Sequence, residues 1–349
     1  MRKSPLFDLA YALPDHLVHG VEAGRGLRGL PQRSDIENIV ILGMGAARTA
    51  GLVVRALGST AISVPILVES SYEIPACLGK RSLVLAISGS GNTDEVNHSA
   101  AKAAALEARP VVVTAEGWLV DFARDCHAPV VHIPPHIQPA RVTFGFVAAA
   151  LLTILRDIGF LPEAGAWLNS AIVQLRRRRE ELCRGDSVAE RLASSLIGRH
   201  VLCQGDTPIG ATAAERWKAQ LNQNAKQCAS ASEQPNASHN EAVAWDFPPD
   251  RISPSEAVVL LRHGFEDPRV SQRIDRLAGY LHGKVPVHAM QGEGGSRLAV
   301  LMDLVMLGDF TSLHLAALNG VDPSAIPFIS QTVKEGLAPP EPWTQPVGS

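Results

Sequence analysis

Between Asn38 and Pro134 the chain alternates short apolar runs with Ala-rich stretches. The runs are Ile39–Leu42, Pro65–Val68, Leu83–Ile87, Val111–Thr114 and Val130–Ile133. Each is largely apolar along its length, the pattern of a strand buried on both faces, so the stretch reads as a parallel sheet covered by helices on both sides. The helices are predicted at Ala47–Leu57, Thr93–Leu106, Leu119–Arg124 and Val142–Ile158. A polar, helix-forming region, about Pro162–Leu196, then leads into a second alternation. Here strands are predicted at His200–Gln204, Ala257–Leu261 and Val285–Ala289, and helices at Ala211–Leu221, Pro268–Leu281 and Arg297–Leu318. The expected organisation is α/β: two doubly wound parallel sheets flanked by helices. Residues 36–160 form the first domain and 197–337 the second, with a helical extension at 1–35, a connector at 161–196 and a Pro-rich tail at 338–349.

A length of 349 residues agrees with two domains, each able to bury its own core. Net charge is −3, which gives no electrostatic reason to expect nucleic acid or an anionic membrane as partner. The basic run Arg176–Arg179 is followed by Glu180 and Glu181 and reads as a solvated helix face. The five cysteines are scattered without a CxxC pair or a histidine at ligand spacing, so reduced thiols and no metal are expected. No apolar run follows Met1-Arg2-Lys3, and Phe144–Leu155 falls short of the roughly 20 residues a membrane span needs. The expectation is a cytoplasmic protein without a membrane partner.

Chemistry enters at the end of the third run. Leu83–Ile87 passes directly into Ser88-Gly89-Ser90-Gly91-Asn92-Thr93, with Asp94 and Glu95 opening a helix. Small residues let backbone N–H groups and the hydroxyls of Ser88, Ser90 and Thr93 converge on one point, and the positive end of the following helix favours an anion there. A phosphate fits, and the absence of a G-K-[ST] lysine argues against a triphosphate with Mg²⁺. The competing reading is a hydroxyl-rich turn with an N-cap. Gly43-Met44-Gly45-Ala46-Ala47-Arg48 is a second strand-to-helix turn; with Glu69 it could serve a dinucleotide, but the third glycine of that fingerprint is missing.

The order Gly43-Met44-Gly45, Ser88–Thr93, Arg141, Asn222-Gln223-Asn224-Ala225-Lys226 and Ser238-His239-Asn240-Glu241 resembles the bifunctional phosphoglucose/phosphomannose isomerases, over roughly residues 36–337. The resemblance implies two sugar isomerase (SIS) domains, a homodimer with active sites near the interface, a hexose 6-phosphate as ligand, no cofactor, and aldose–ketose interconversion through a cis-enediol. It implies phosphate binding by Ser88, Gly89, Ser90, Asn92 and Thr93, a substrate loop at Gly43 and Gly45, a substrate-facing Arg141, a ring-opening His239 and a late lysine at Lys334. Read from the residues alone, the polar Ser238–Glu241 setting favours a site role for His239 over a structural one, and Arg141 is open between a substrate group and a surface arginine at a helix start.

Two positions depart from the family pattern. The catalytic base of the family is the Glu of Asn-Glu-Asn-Ala-Lys, and here that position is Gln223. The hydroxyl of the family's Gly-Met-Gly-Gly-Ser loop is replaced by Ala46-Ala47. An amide has no lone pair suited to proton abstraction. The sequence therefore leaves two expectations open: an isomerase with Glu241, Glu215 or Glu95 as substitute base, or a catalytically silent sugar-phosphate sensor or partner protein.

Overall fold

The computed structural model describes residues 4–246 and 255–329. They divide into two compact units, 15–166 with 327–329, and 4–14 with 167–326, here called the N-terminal and C-terminal units. Lys334 and the Pro-rich tail lie outside the described residues.

The N-terminal unit is built on five parallel strands, β1 (Asn38–Gly43), β2 (Ile66–Glu69), β3 (Ser82–Ser88), β4 (Arg109–Thr114) and β5 (Val130–His132), in the order β2-β1-β3-β4-β5. Every residue of β1 and β3 is buried, as two-faced coverage demands. α3 (Gly45–Gly58), α4 (Asp94–Ala105), α5 (Trp118–Asp125) and α6 (Phe144–Ile158) are the helices expected from the pattern. α6 is buried from Phe144 to Leu155, and each of its Phe and Leu side chains contributes roughly 1.5–3 kcal/mol by leaving water. An earlier helix crosses it closely: in α2 (Leu13–Gly24), a Cβ on Gly20 would stand 2.2 Å from the Phe146 carbonyl oxygen.

The C-terminal unit has four parallel strands, β6 (His200–Asp206), β7 (Ala229–Gln234), β8 (Glu256–Arg262) and β9 (Val287–Gln291), in the order β7-β6-β8-β9. Its helices are α1 (Pro5–Tyr11), α7 (Ala164–Leu182), α8 (Val188–Leu196), α9 (Ile209–Ala225), α10 (Pro268–Leu281) and α11 (Arg297–Leu318). α11 is long and apolar enough to cross a membrane by length and composition, and it is buried from Leu298 to Ala316 as the unit's central helix. α9 is clamped against it. Arg216 makes two 3.0 Å hydrogen bonds to Asp309, the Trp217 indole donates to the Leu304 carbonyl at 2.7 Å, and Gly308 leaves the room that indole occupies.

The structure adds one strand that the pattern missed and corrects one surface reading. β7 reads Ala-Ser-Ala-Ser-Glu-Gln, without a β-branched residue, and is held at the sheet edge by its full register with β6. Arg178, inside the basic run, is not solvated: only 8% exposed, it sits 3.4 Å from the fully buried Asp303 on α11 and 3.0 Å from Glu181. A helix surface that packs on another helix turns part of even a charged run inward, and Asp303 supplies the partner a buried guanidinium requires. Arg179 stacks over Tyr11, while Arg177 pairs with Glu293.

Candidate functional site

In the order β2-β1-β3-β4-β5 the chain leaves β1 toward one side of the sheet and β3 toward the other. The crevice outside the carboxyl ends of β1 and β3 is the topological switch point, where open α/β sheets bind ligands. Both loops singled out in the sequence meet there, since Gly43 at the end of β1 is in register with Ile87 at the end of β3.

The Ser88–Thr93 loop is rigid for reasons local to its residues. Gly91 has φ +66°, and a Cβ on it would stand 1.6 Å from the Glu116 carbonyl oxygen, so only glycine fits. The Gly91 carbonyl accepts the Leu119 N–H at 3.1 Å and the Asn97 amide at 3.2 Å. Asn92 turns its side-chain oxygen to the Trp118 N–H at 3.0 Å, opening α5. With the loop fixed from behind, its hydroxyls gather: Ser88 Oγ lies 2.7 Å from Thr93 Oγ1 and 3.5 Å from Ser90 Oγ. Thr93 is the N-cap of α4 but makes no side-chain cap, because its hydroxyl faces Ser88 instead. Hydroxyls at a helix start, uncommitted to capping, are suited to an anion.

A Cβ on Gly43 would lie 3.0 Å from Ala47 Cβ, a tight approach that favours glycine, and Gly45 takes φ +53° to open α3. Beside this turn is a shallow surface groove lined by Gly43, Met44, Glu69, Ser70, Glu95 and Ser99 among others. Ser70 was not singled out from the sequence, yet it lines the same groove and its hydroxyl donates to the Gly43 carbonyl at 2.7 Å. Its signal was its position directly after β2, at the same carboxyl edge. Arg141 lies in a short 3₁₀ turn, Ala140–Val142, and is only 7% exposed, which excludes a surface role. That turn abuts the Ser88–Thr93 loop: Ala140 Cβ is 3.6 Å from where a Gly89 Cβ would be.

The remaining positions belong to the C-terminal unit and are not brought together there. Gln223 is half-buried near the end of α9, where Lys226 Nζ donates to its backbone carbonyl at 2.7 Å. α9 returns from the carboxyl end of β6 to the start of β7, and its 14-residue run from Ile209 carries Gln223 about 21 Å away from that end. His239 follows β7 at the opposite, carboxyl edge, exposed in a 3₁₀ turn, Asn236–His239.

The three carboxylates offered as substitute bases are equally scattered. Glu95 lines the groove beside Gly43, Glu215 pairs with Lys218 at 2.7 Å in the middle of α9, and Glu241 accepts the Gln204 amide at 3.0 Å. Among the described residues no group of three or more His, Cys, Asp or Glu is placed to hold a metal ion.

The C-terminal unit has a switch point of its own between β6 and β8, and it is filled from within. Asp206 Oδ1 accepts the Gly210 N–H of α9 at 3.1 Å and the His263 Nε2–H at 2.5 Å, and both side chains are buried.

Comparison with known proteins agrees with this geometry. Residues 186–335 match the family described as the bacterial phospho-glucose isomerase C-terminal SIS domain. A bifunctional phosphoglucose/phosphomannose isomerase of Caldicellulosiruptor bescii is 30% identical over 327 residues, 92% of this chain and 96% of that protein. The protein of the same name from Aquifex aeolicus is 31% identical over 306 residues, 86% and 90% of the two chains. In fold, the C-terminal domain of glucosamine-fructose-6-phosphate aminotransferase from Francisella tularensis superposes with a TM-score of 0.66 at 15% identity, over 93% of this chain and 98% of that one. Two parallel SIS sheets, a hydroxyl-lined switch point and a relative matched along nearly its whole length lead to one assignment: the chain belongs to the bifunctional phosphoglucose/phosphomannose isomerase family and is a phosphosugar isomerase-like protein.

Proposed function

We propose that this protein is a cytoplasmic, homodimeric binder of hexose 6-phosphates that interconverts their aldose and ketose forms slowly, its rate held down by the amide at Gln223. The observation that carries the reading is the cluster of Ser88, Ser90 and Thr93 hydroxyls at the β1/β3 switch point, with the Arg141 turn against it. Phosphate oxygens accept from the hydroxyls, and Arg141, buried and next in sequence to the Ala140 that abuts the loop, suits an anionic ligand.

Isomerisation moves a proton between C2 and C1, so it needs a base. General-base catalysis contributes about 10²- to 10⁴-fold, or about 3 to 5 kcal/mol of barrier. A glutamine cannot supply it. Glu95, in the groove beside the loop, is the substitute carboxylate that this arrangement favours over Glu215, which is committed to Lys218, and Glu241, which is committed to Gln204. The wide separation of Gln223 and His239 within one unit supports a site completed by a second copy of the chain.

Fructose 6-phosphate measured on one preparation, by calorimetry for affinity and a coupled assay for rate, tests both halves. Binding with slow turnover, raised 10²- to 10⁴-fold in Gln223→Glu, is the expected result. A second reading, a silent sugar-phosphate sensor, is favoured by Gln223 together with Ala46-Ala47. It prevails if the protein binds fructose 6-phosphate, shows no turnover above the blank, and gains none from Gln223→Glu. Absence of binding sinks both.

A further inference from the structure

His239 is an exposed side chain of the C-terminal unit that is held in place from two directions. The segment that carries it is fastened on both flanks to two buried amides on neighbouring strands. Ser238 Oγ donates to Gln234 Oε1 at 2.5 Å, and Gln204 Nε2 donates to Glu241 Oε2 at 3.0 Å. The amides hold each other, since Gln234 Nε2 donates to Gln204 Oε1 at 3.3 Å, and Gln204 also donates to Ser232. Gln204 and Gln234 are 3% and 0% exposed, so no solvent competes with these bonds in setting their orientation.

The ring itself is held from another element. Arg273, on α10, places Nη1 2.9 Å from His239 Nε2. A guanidinium has donors only, so the nitrogen it meets must offer a lone pair. We infer that Arg273 is a positioning residue that fixes His239 as the Nδ1–H tautomer, so that the group His239 presents to a sugar oxygen is the Nδ1–H donor. Which nitrogen of an imidazole carries the proton is set by the hydrogen bond at the other, and here that bond is imposed from outside the His239 loop. The inference rests on the reading of His239 as part of the sugar-phosphate site, and it names the nitrogen that acts there.

The test uses ¹⁵N-labelled full-length protein without ligand. Long-range ¹H–¹⁵N correlation identifies the His239 ring through its loss in His239→Gln, and the shifts report which nitrogen is protonated. The expected result is a protonated Nδ1 and an unprotonated Nε2, lost in Arg273→Ala and retained in Arg273→Lys, which keeps a cationic donor. Both positions are exposed, and unchanged circular dichroism confirms that the variants fold. Protonation at Nε2 in the wild type, or no change in Arg273→Ala, overturns the inference.

Calorimetry with fructose 6-phosphate supplies the second reading: Arg273→Ala weakens binding about tenfold and Arg273→Lys recovers most of it. A changed tautomer with unchanged affinity overturns the positioning role. If the wild type binds no fructose 6-phosphate, the hexose-phosphate reading fails, while the tautomer measurement still decides whether Arg273 sets the ring.

Discussion

The two units share one plan and use it in opposite ways. Each is a parallel sheet whose second strand in sequence order returns to one side and whose third strand lies on the other, β2-β1-β3 and β7-β6-β8, so each has a crevice at the same topological position. In the N-terminal unit the crevice ends in neutral hydroxyls, Ser88, Ser90 and Thr93, with the cap position of α4 left without a side-chain cap. In the C-terminal unit the same position carries its own anion. Asp206 caps α9 through Gly210 and accepts the His263 Nε2–H. A helix start surrounded by protein demands an acceptor, and whether the chain supplies it or leaves it to a ligand separates a structural crevice from a binding one.

Removing the internal anion should have the largest effect. Asp206→Ala leaves the Gly210 N–H and the His263 Nε2–H without their acceptor, and two buried donors cost about 2 to 6 kcal/mol. Urea unfolding should show that loss in the C-terminal unit, with hexose 6-phosphate affinity changed less than twofold. A variant of wild-type stability would mean that the aspartate is not the plug described here.

The units also treat buried histidines differently, which gives a pH test. His263 gives its Nε2–H to a carboxylate, and its Nδ1 accepts the Phe265 N–H at 3.1 Å. His16, on α2 in the N-terminal unit, is 4% exposed, and burial, with His19 and His136 nearby, pushes it down to about 4 against the pull of Asp15. It is therefore neutral in the fold and takes up a proton on unfolding below its ordinary 6.5. The unfolded state binds more protons between pH 6.5 and 4, so stability is complete above that window and falls as pH drops through it, by about 3 kcal/mol at pH 4. Comparison of wild type with His16→Gln by urea unfolding at pH 7 and pH 4.5 should show the steeper acid loss in the wild type; equal slopes refute it.

The plug can also be moved. Ser88→Asp puts a carboxylate where the hydroxyls gather and so imitates the anion that Asp206 supplies in the other unit. Hexose 6-phosphate binding should weaken at least 100-fold, about 2.7 kcal/mol, with the fold retained. Affinity within tenfold of the wild type would place the phosphate elsewhere.

Most of this plan could be read from apolar runs, because buried parallel strands must be apolar on both faces. β1, β3, β4 and β8 were legible for that reason, and so was the loop between β3 and α4. β7 was not, since an edge strand of Ala, Ser, Glu and Gln carries no such mark. Ser70 and the Asp206–His263 pair escaped for a different reason: each depends on residues 27 and 57 positions apart meeting at a sheet edge, which only register reveals. Gln223 and His239 were legible as motif positions, but their placement at opposite ends of the C-terminal sheet was not, because spacing in sequence says nothing about the direction in which α9 returns.

The smallest effect is the sharpest control. Thr93→Val keeps the shape of the residue and removes one hydroxyl, which the structure sets 2.7 Å from Ser88 Oγ. One hydrogen bond to a charged phosphate is worth about 1.5 to 3 kcal/mol, partly recovered here because Ser88 and water can rearrange, so affinity for fructose 6-phosphate should fall about tenfold. The matched change in the other unit is Thr207→Val. Thr207 also follows a switch-point strand, but it is exposed and donates to Glu233 at 3.2 Å, beside the carboxylate that already fills its crevice. It should leave affinity unchanged. If both substitutions weaken binding alike, the two crevices do not differ in the way their side chains imply; if only Thr93→Val does, a single hydroxyl distinguishes the unit that waits for an anion from the unit that carries one.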